Sequence, residues 1–297
     1  MAKLIECIPN FSEGRDLAVL AALKDTAQSI PGVTLLNHSA DHDHNRSVFT
    51  LIGDPRGIAE AAFALCKLAS ETIDLTRQQG AHPRMGATDV IPFVPIRDVT
   101  VADCVAVSKE VATQIAAKLS IPVFLYEQSA TAPMRQNLAN IRRGEFEGFT
   151  EKFKDPAWMP DYGTAVVHPT AGVTAVGARP PLIAFNINLD TDNLEIAKAI
   201  AKTVRGSSGG YRYCKALGIA LPERGIVQVS MNMVNYEETP LYRVFEAVRF
   251  EAKRWGVSIL GSELIGLAPA KSLTDCAAYY LQLEQFDYDT HVLETYL

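Results

Sequence analysis

Val33-Thr34-Leu35-Leu36-Asn37-His38-Ser39-Ala40-Asp41-His42-Asp43-His44-Asn45-Arg46-Ser47-Val48-Phe49-Thr50-Leu51-Ile52-Gly53 is the stretch that decides the fold class. Val33 to Leu36 reads as one strand, and Ser47 to Ile52 alternates like another. The polar run from His38 to Arg46 joins them. Two strands joined by so short a connection pair antiparallel. Upstream, Leu4 to Pro9 reads as a strand and Asn10 to Arg15 as a polar turn. A helix follows from about Asp16 to Ser29, with Leu17, Leu20, Ala21, Leu23 and Ala27 at helical spacing, ended by Pro31-Gly32. Downstream, Gly53-Asp54-Pro55 starts a second helix that reaches Ile73. The order βαββα is not the strict alternation of a parallel sheet.

The same rhythm continues to the C-terminus. Val90 to Val94 is a strand, and Thr100-x-x-Asp103 resembles a capping box opening a helix to Leu119. Ile121 to Tyr126 is a buried strand. From Glu127 to Gly172 the pattern loosens, with one short helix, Asn137 to Arg143, stopped by Gly144. Loops this long are commonly functional. A hinge is expected at Gly177-Ala178-Arg179-Pro180-Pro181, dividing the chain into 1–180 and 181–297. Beyond it come a strand (Leu182 to Leu189), a helix (Leu194 to Val204), a glycine-rich connection (Gly206 to Gly210), and strands at Ala216 to Ala220 and Ile226 to Val234. A helix from Pro240 to Trp255, with proline at its first position, a strand (Val257 to Leu260) and a helix (Lys271 to Gln282) complete it. The expected fold class is α+β: two domains of related βαββαβ, ferredoxin-like topology. The cleft between them is the natural place for a ligand.

The 297 residues carry a formal net charge of -6, with 48% hydrophobic and 21% charged residues. That is ordinary for a soluble globular protein and argues against a nucleic-acid partner. Cys7, Cys66, Cys104, Cys214 and Cys276 lie far apart with no Cys-x-x-Cys pair, the pattern of a reduced, cytoplasmic protein. The first residues form no signal peptide, and no run is long enough for a membrane span.

The richest chemistry lies in Gly80-Ala81-His82-Pro83-Arg84-Met85-Gly86-Ala87-Thr88-Asp89. Pro83 stiffens the backbone and pushes His82 towards an extended conformation. Histidine suits proton transfer near neutrality, so His82 is the candidate general acid and base. A competing constellation is His38, His42 and His44 with Asp41 and Asp43, the ligand types of a metal-dependent amidohydrolase. The segment reads better as a solvated or substrate-facing polar loop, and no metal is expected. Gly206 to Gly210 lacks the ending of a phosphate-binding loop and follows a helix instead of preceding one. Trp158 reads as a packing residue.

Several phrases together resemble one family. Glu6-Cys7-Ile8-Pro9-Asn10-Phe11-Ser12-Glu13-Gly14-Arg15 resembles the N-terminal signature of the glutamate formiminotransferases. His44-Asn45-Arg46-Ser47-Val48 with Gly53 resembles their second motif, and Gly80 to Asp89 their active-site loop. Gly177-Ala178-Arg179 with Leu182 to Leu189 resembles the junction between subdomains. Gln228 to Asn232 and Gly261 to Leu267 resemble C-terminal motifs. The phrases span the whole chain in order.

The resemblance implies transfer of a formimino group from N-formimino-L-glutamate to N5 of tetrahydrofolate, a co-substrate. It implies two α/β-sandwich subdomains with a tunnel between them and a homodimer. The catalytic histidine falls on His82. The folate-binding stretch falls on Gly163, Thr164, Ala165, Val166, Val167, His168, Pro169, Thr170, Ala171 and Gly172. Gly163, Pro169 and Gly172 match the family frame; the residues between follow it less well. Ser39 stands where the family commonly has an aspartate, with Asp41 nearby. Both substrates carry carboxylates, which arginine grips bidentately, so Arg46, Arg84 and then Arg15 are candidate anchors. Asn10 and Asn45 are candidate partners of the amidine or the pterin. The chain is expected to lack the cyclodeaminase domain of the vertebrate enzymes and to hand its product to a separate cyclodeaminase. Two other readings remain: the amidohydrolase, and a non-catalytic folate-binding protein.

Overall fold

Side-chain caps set where the first helices begin. The computed structural model describes residues 3–296. It opens with β1 (Leu4–Cys7) and β2 (Asn10–Phe11). The Asp16 carboxylate accepts the N–H groups of Ala18 and Val19 and so starts α1 (Leu17–Ser29). β3 (Val33–Asp41) and β4 (Arg46–Gly53) then pair antiparallel, from Val33 opposite Gly53 to Asp41 opposite Arg46. The polar connection is shorter than the sequence suggests. β3 runs on through His38, Ser39 and Ala40, leaving His42 to Asn45 as the turn. Backbone pairing with β4 satisfies these residues' main chain, and tertiary pairing overrides weak strand preference.

Asp54 caps α2 (Pro55–Thr72), with Pro55 where a missing N–H costs nothing. β5 (Thr88–Arg97) leads to α3 (Val101–Leu119), whose capping box is formed by Thr100 and Asp103. β6 (Val123–Glu127), α4 (Leu138–Arg142), α5 (Glu145–Lys152) and β7 (Thr174–Ala178) complete a first unit, Met1–Arg179. Its sheet runs β1-β4-β2-β5-β7-β6, with β3 paired to β4. β7 lies parallel to both β5 and β6, so this sheet is mixed. Gly177 and Ala178, expected to open a hinge, instead close β7. A Cβ on Gly177 would sit 2.3 Å from the Tyr126 carbonyl oxygen, so glycine permits the close approach of β6.

Each face of this sheet has its own core. α1, α2 and α3 cover one face: Leu23, Ile58, Leu65, Val111 and Ile115 pack against Phe49, Leu51, Ile91, Phe93 and Leu125. On the other face Phe124, Tyr126, Val90 and Val173 meet Ile141 of α4 and Phe149 of α5. The loosened stretch after Glu127 is therefore partly a packing layer. Its periodicity is weak because α4 and α5 span only 5 and 8 residues. Trp158 joins this cluster, 6.4 Å from the Phe124 ring and beneath the Lys152 ammonium at 4.1 Å.

The second unit, Pro180–Leu297, contains β8 (Ile183–Leu189), α6 (Leu194–Val204), β9 (Cys214–Leu221), β10 (Ile226–Met233), α7 (Leu241–Arg254), β11 (Ile259–Ile265) and α8 (Ala270–Leu281). Its sheet has the order β11-β8-β10-β9, with all neighbours antiparallel. Ile183, Ile187, Val227, Val229 and Met231 face Ile200 of α6 and Val244 and Val248 of α7. Pro240 caps α7 from outside instead of being its first residue. β11 continues to Ile265, well past Leu260. Both units are mixed α and β, as expected. Among the described residues no helix is long and apolar enough to cross a membrane.

Candidate active site

Three loops at one end of the first sheet are tied into a single frame by buried polar side chains. Asn45 sits in the β3–β4 turn with φ 48°, a left-handed conformation that asparagine tolerates. Its Oδ1 accepts the Gly14 N–H at 2.9 Å, and its Nδ2 donates to Gln78 and, at 3.1 Å, to the Gln79 carbonyl. Gln78 in turn donates to Glu13, whose other oxygen accepts the N–H groups of Arg15 and Asp16. Arg15 Nε donates to the His42 carbonyl at 2.8 Å. Gly80 lies so close that a Cβ there would meet the His44 carbonyl oxygen at 2.3 Å. The frame places the His82 arch against the β3–β4 turn.

His82 is half-buried, and the described residues give its ring no hydrogen-bond partner. Burial lowers its pKa from the ordinary 6.5 to about 3, helped by the charges of Arg46, Arg142 and His44. The imidazole is therefore neutral at neutral pH and can accept a proton. Arg46 Nε donates to Asn10 Oδ1 at 3.1 Å, and one of its terminal nitrogens binds the same oxygen. Burial, then the Arg142 charge, lowers the Arg46 pKa. Arg46 makes no ion pair among the described residues. Asn10 also donates to the Ile8 carbonyl at 2.8 Å.

Arg142 has no sequence signal. It closes the short helix α4, 60 residues from His82 along the chain. Buried Asp89 brings it in: Asp89 Oδ2 accepts Arg142 Nε at 2.8 Å, and Oδ1 accepts the Met85 N–H at 3.0 Å. Asp89 lies where the β2–β5 pairing slips, between Asn10 opposite Val90 and Phe11 opposite Thr88. Such irregularities re-aim side chains at sheet edges and beside active sites. Asp89 was visible in the loop motif, but its partner was not.

Other expected residues are already engaged. Arg84 donates to Glu147 at 2.7 Å, to Glu145 at 3.4 Å and to the Gln78 carbonyl at 3.0 Å. It clamps the His82 loop onto the start of α5. Asn45 spends both amide hydrogens on the frame. Gly163 to Gly172 divides in two. His168 to Gly172 is a tight turn in which His168 Nδ1 accepts the Ala171 N–H at 3.0 Å; burial lowers the His168 pKa. It is stitched beside the His82 loop by Leu75 N–H to the Thr170 carbonyl and Ala87 N–H to the Ala171 carbonyl. Gly163 to Val167 is more open, and Val166 is 68% exposed.

The three N-terminal histidines do not converge. His38 lies on β3, with its ring 5.7 Å from that of Phe49. His44 turns back to Asp41 at 3.0 Å, and the His44 backbone N–H holds the Asp41 carboxyl below its ordinary pKa. His42 and Asp43 are exposed together. Among the described residues no three of His, Cys, Asp or Glu are grouped to hold a metal.

The charges of Arg46 and Arg142 both act on the half-buried His82 ring. Family comparison identifies the class more closely. The model of the formiminotransferase domain, N-terminal subdomain, matches residues 4–179, and that of the formiminotransferase domain matches 184–292. The chain belongs to the formiminotransferase family. It is 63% identical to the glutamate formimidoyltransferase of Streptococcus pyogenes serotype M1, over 100% of this chain and 99% of that protein. It is 45% identical to the glutamate formimidoyltransferase of Thermoplasma acidophilum, over 98% of this chain and 96% of that one. The formimidoyltransferase-cyclodeaminase of Mus musculus is 41% identical over 96% of this chain, which spans 54% of that protein.

Proposed function

We propose that the chain transfers the formimino group from N-formimino-L-glutamate to N5 of tetrahydrofolate, with His82 as general acid and base. The observation that carries this reading is full-length similarity to proteins named glutamate formimidoyltransferase. The half-buried position of His82, with the charges of Arg46 and Arg142 acting on its ring, supports the mechanism.

N5 of the folate attacks the amidine carbon of the donor. The new C–N bond forms as the C=N π pair moves to the imino nitrogen. His82 takes the proton from N5 in the tetrahedral intermediate and gives it to the glutamate nitrogen. The C–N bond to glutamate then breaks, leaving 5-formiminotetrahydrofolate and L-glutamate. Such proton transfer contributes about 10²–10⁴-fold in rate, and alignment of the two substrates can add more. A ring with so low a pKa is a weak base. Burial is the largest cause of that lowering; an anionic donor beside Arg46 and Arg142 offsets the part that comes from their charge and so raises the His82 pKa.

Asn10 and Arg46 flank the donor, and Gly163 to Gly172 borders the folate. Arg84 and Asn45 serve by holding the loops. The two units, Met1–Arg179 and Pro180–Leu297, are related ferredoxin-like subdomains. The working form is a cytoplasmic homodimer that needs no metal and passes its product to a cyclodeaminase. The test is an assay with both substrates, following 5-formiminotetrahydrofolate or its acid conversion to 5,10-methenyltetrahydrofolate by absorbance. Turnover should survive a chelator and fall about 10²–10⁴-fold in His82→Ala. Loss on chelation, or no turnover, would refute the proposal.

A further inference from the structure

Arg46 and Arg142 present one more cation than their surroundings answer. Arg142 is paired with Asp89, which is 2% exposed. Arg46 is held by a neutral carboxamide, and the attraction of Asp89 and Asp41 reaches it only from beyond ion-pair distance. Both guanidiniums grip through Nε and one terminal nitrogen; the other terminal nitrogen of each donates no hydrogen bond among the described residues. Their supports are close neighbours, since Asn10 pairs with Val90, the residue after Asp89. Both act on the His82 ring and on each other. Mostly buried cations, each with one donor nitrogen unused and beside the proton-transfer group, suit a carboxylate joined closely to the reacting carbon.

Only one carboxylate of the two substrates meets that requirement. In N-formimino-L-glutamate the α-carboxylate is borne by the carbon attached to the departing nitrogen. The donor's side-chain carboxylate and the glutamate tail of the folate lie many bonds from the reacting atoms. We propose that Arg142, with Arg46, binds the donor's α-carboxylate, making Arg142 a specificity-determining residue. This rests on the transferase reading above. The bound carboxylate fixes the departing nitrogen beside His82.

The test pairs the donor with N-formimino-4-aminobutyrate, in which hydrogen replaces the α-carboxylate. Wild type should prefer the full donor about 10- to 100-fold in kcat/KM, the range for hydrogen bonds to a charged group. In Arg142→Met, where Arg46 remains, that preference should shrink at least about threefold, with the KM for tetrahydrofolate unchanged. Arg142→Lys keeps the charge and the pairing with Asp89 but loses the planar fork, so its preference should be intermediate. A preference undiminished in folded Arg142→Met would overturn the proposal. If that variant fails to fold, an undiminished preference in Arg142→Lys does the same. Equal use of both donors by wild type overturns the role of Arg142 and leaves the transferase intact. Transfer from neither donor overturns both.

Discussion

Replacing Asp89 with alanine should damage the first unit out of proportion to the atoms removed. The carboxylate is 2% exposed, and the Arg142 side chain it holds is 17% exposed. Losing it strands a mostly buried guanidinium and also frees the buried Met85 N–H, whose acceptor it supplied. Breaking one partner of a buried ion pair costs about 3–5 kcal/mol, chiefly from the charge left behind. For a unit of this size each kcal/mol lowers the melting temperature by about 2–4 °C, so a drop on the order of 10 °C is expected. Asp89→Asn keeps one acceptor and should cost less. Arg142→Met leaves the carboxylate buried without its cation and should cost a similar amount to Asp89→Ala. The double variant removes both charges, so its loss should fall short of the sum by about 2 kcal/mol or more. Calorimetry and denaturant melts of wild type and the four variants measure this directly. A double variant additive to within about 0.5 kcal/mol would refute the coupling.

The His82 ring makes stability depend on pH. Its folded pKa of about 3 lies below the ordinary 6.5, so between those values the unfolded chain binds the extra proton. Stability should fall as pH drops from 6.5 towards 3 and be fully present above 6.5. His82→Asn should flatten that slope in melts taken across the window. In NMR titrations of wild type, the ring should titrate near 3 when free and higher with the donor bound; an unshifted free ring would count against the buried cationic setting. Gly86→Ala should be severely destabilising, because its Cβ would lie 2.1 Å from the Val173 carbonyl oxygen where the His82 loop meets the start of β7. A loss below about 1 kcal/mol in a denaturant melt would show that this contact can relax.

Local signals were legible in the chain. The capping box at Thr100 and Asp103, the alternation of Ser47 to Ile52 and the breaker Pro31-Gly32 each act over a few residues, and each marks a real boundary. The Gly80 to Asp89 loop announces itself because glycine, proline, histidine and aspartate are rarely so concentrated. The family signatures then let His82 be named before any geometry. Other features have no local expression. β3 keeps its strand through His38 to Asp41 only because β4 lies beside it. β7 joins parallel neighbours from distant parts of the chain. Arg142 reaches the His82 ring's surroundings through a carboxylate that β5 buries, and Arg84 is paired with two glutamates of α5. Turns, caps and amphipathic faces obey the chemistry of adjacent residues, so sequence alone determined them. Ion pairs and the environment of a titrating ring depend on which distant groups are buried together, and that only the tertiary structure decided.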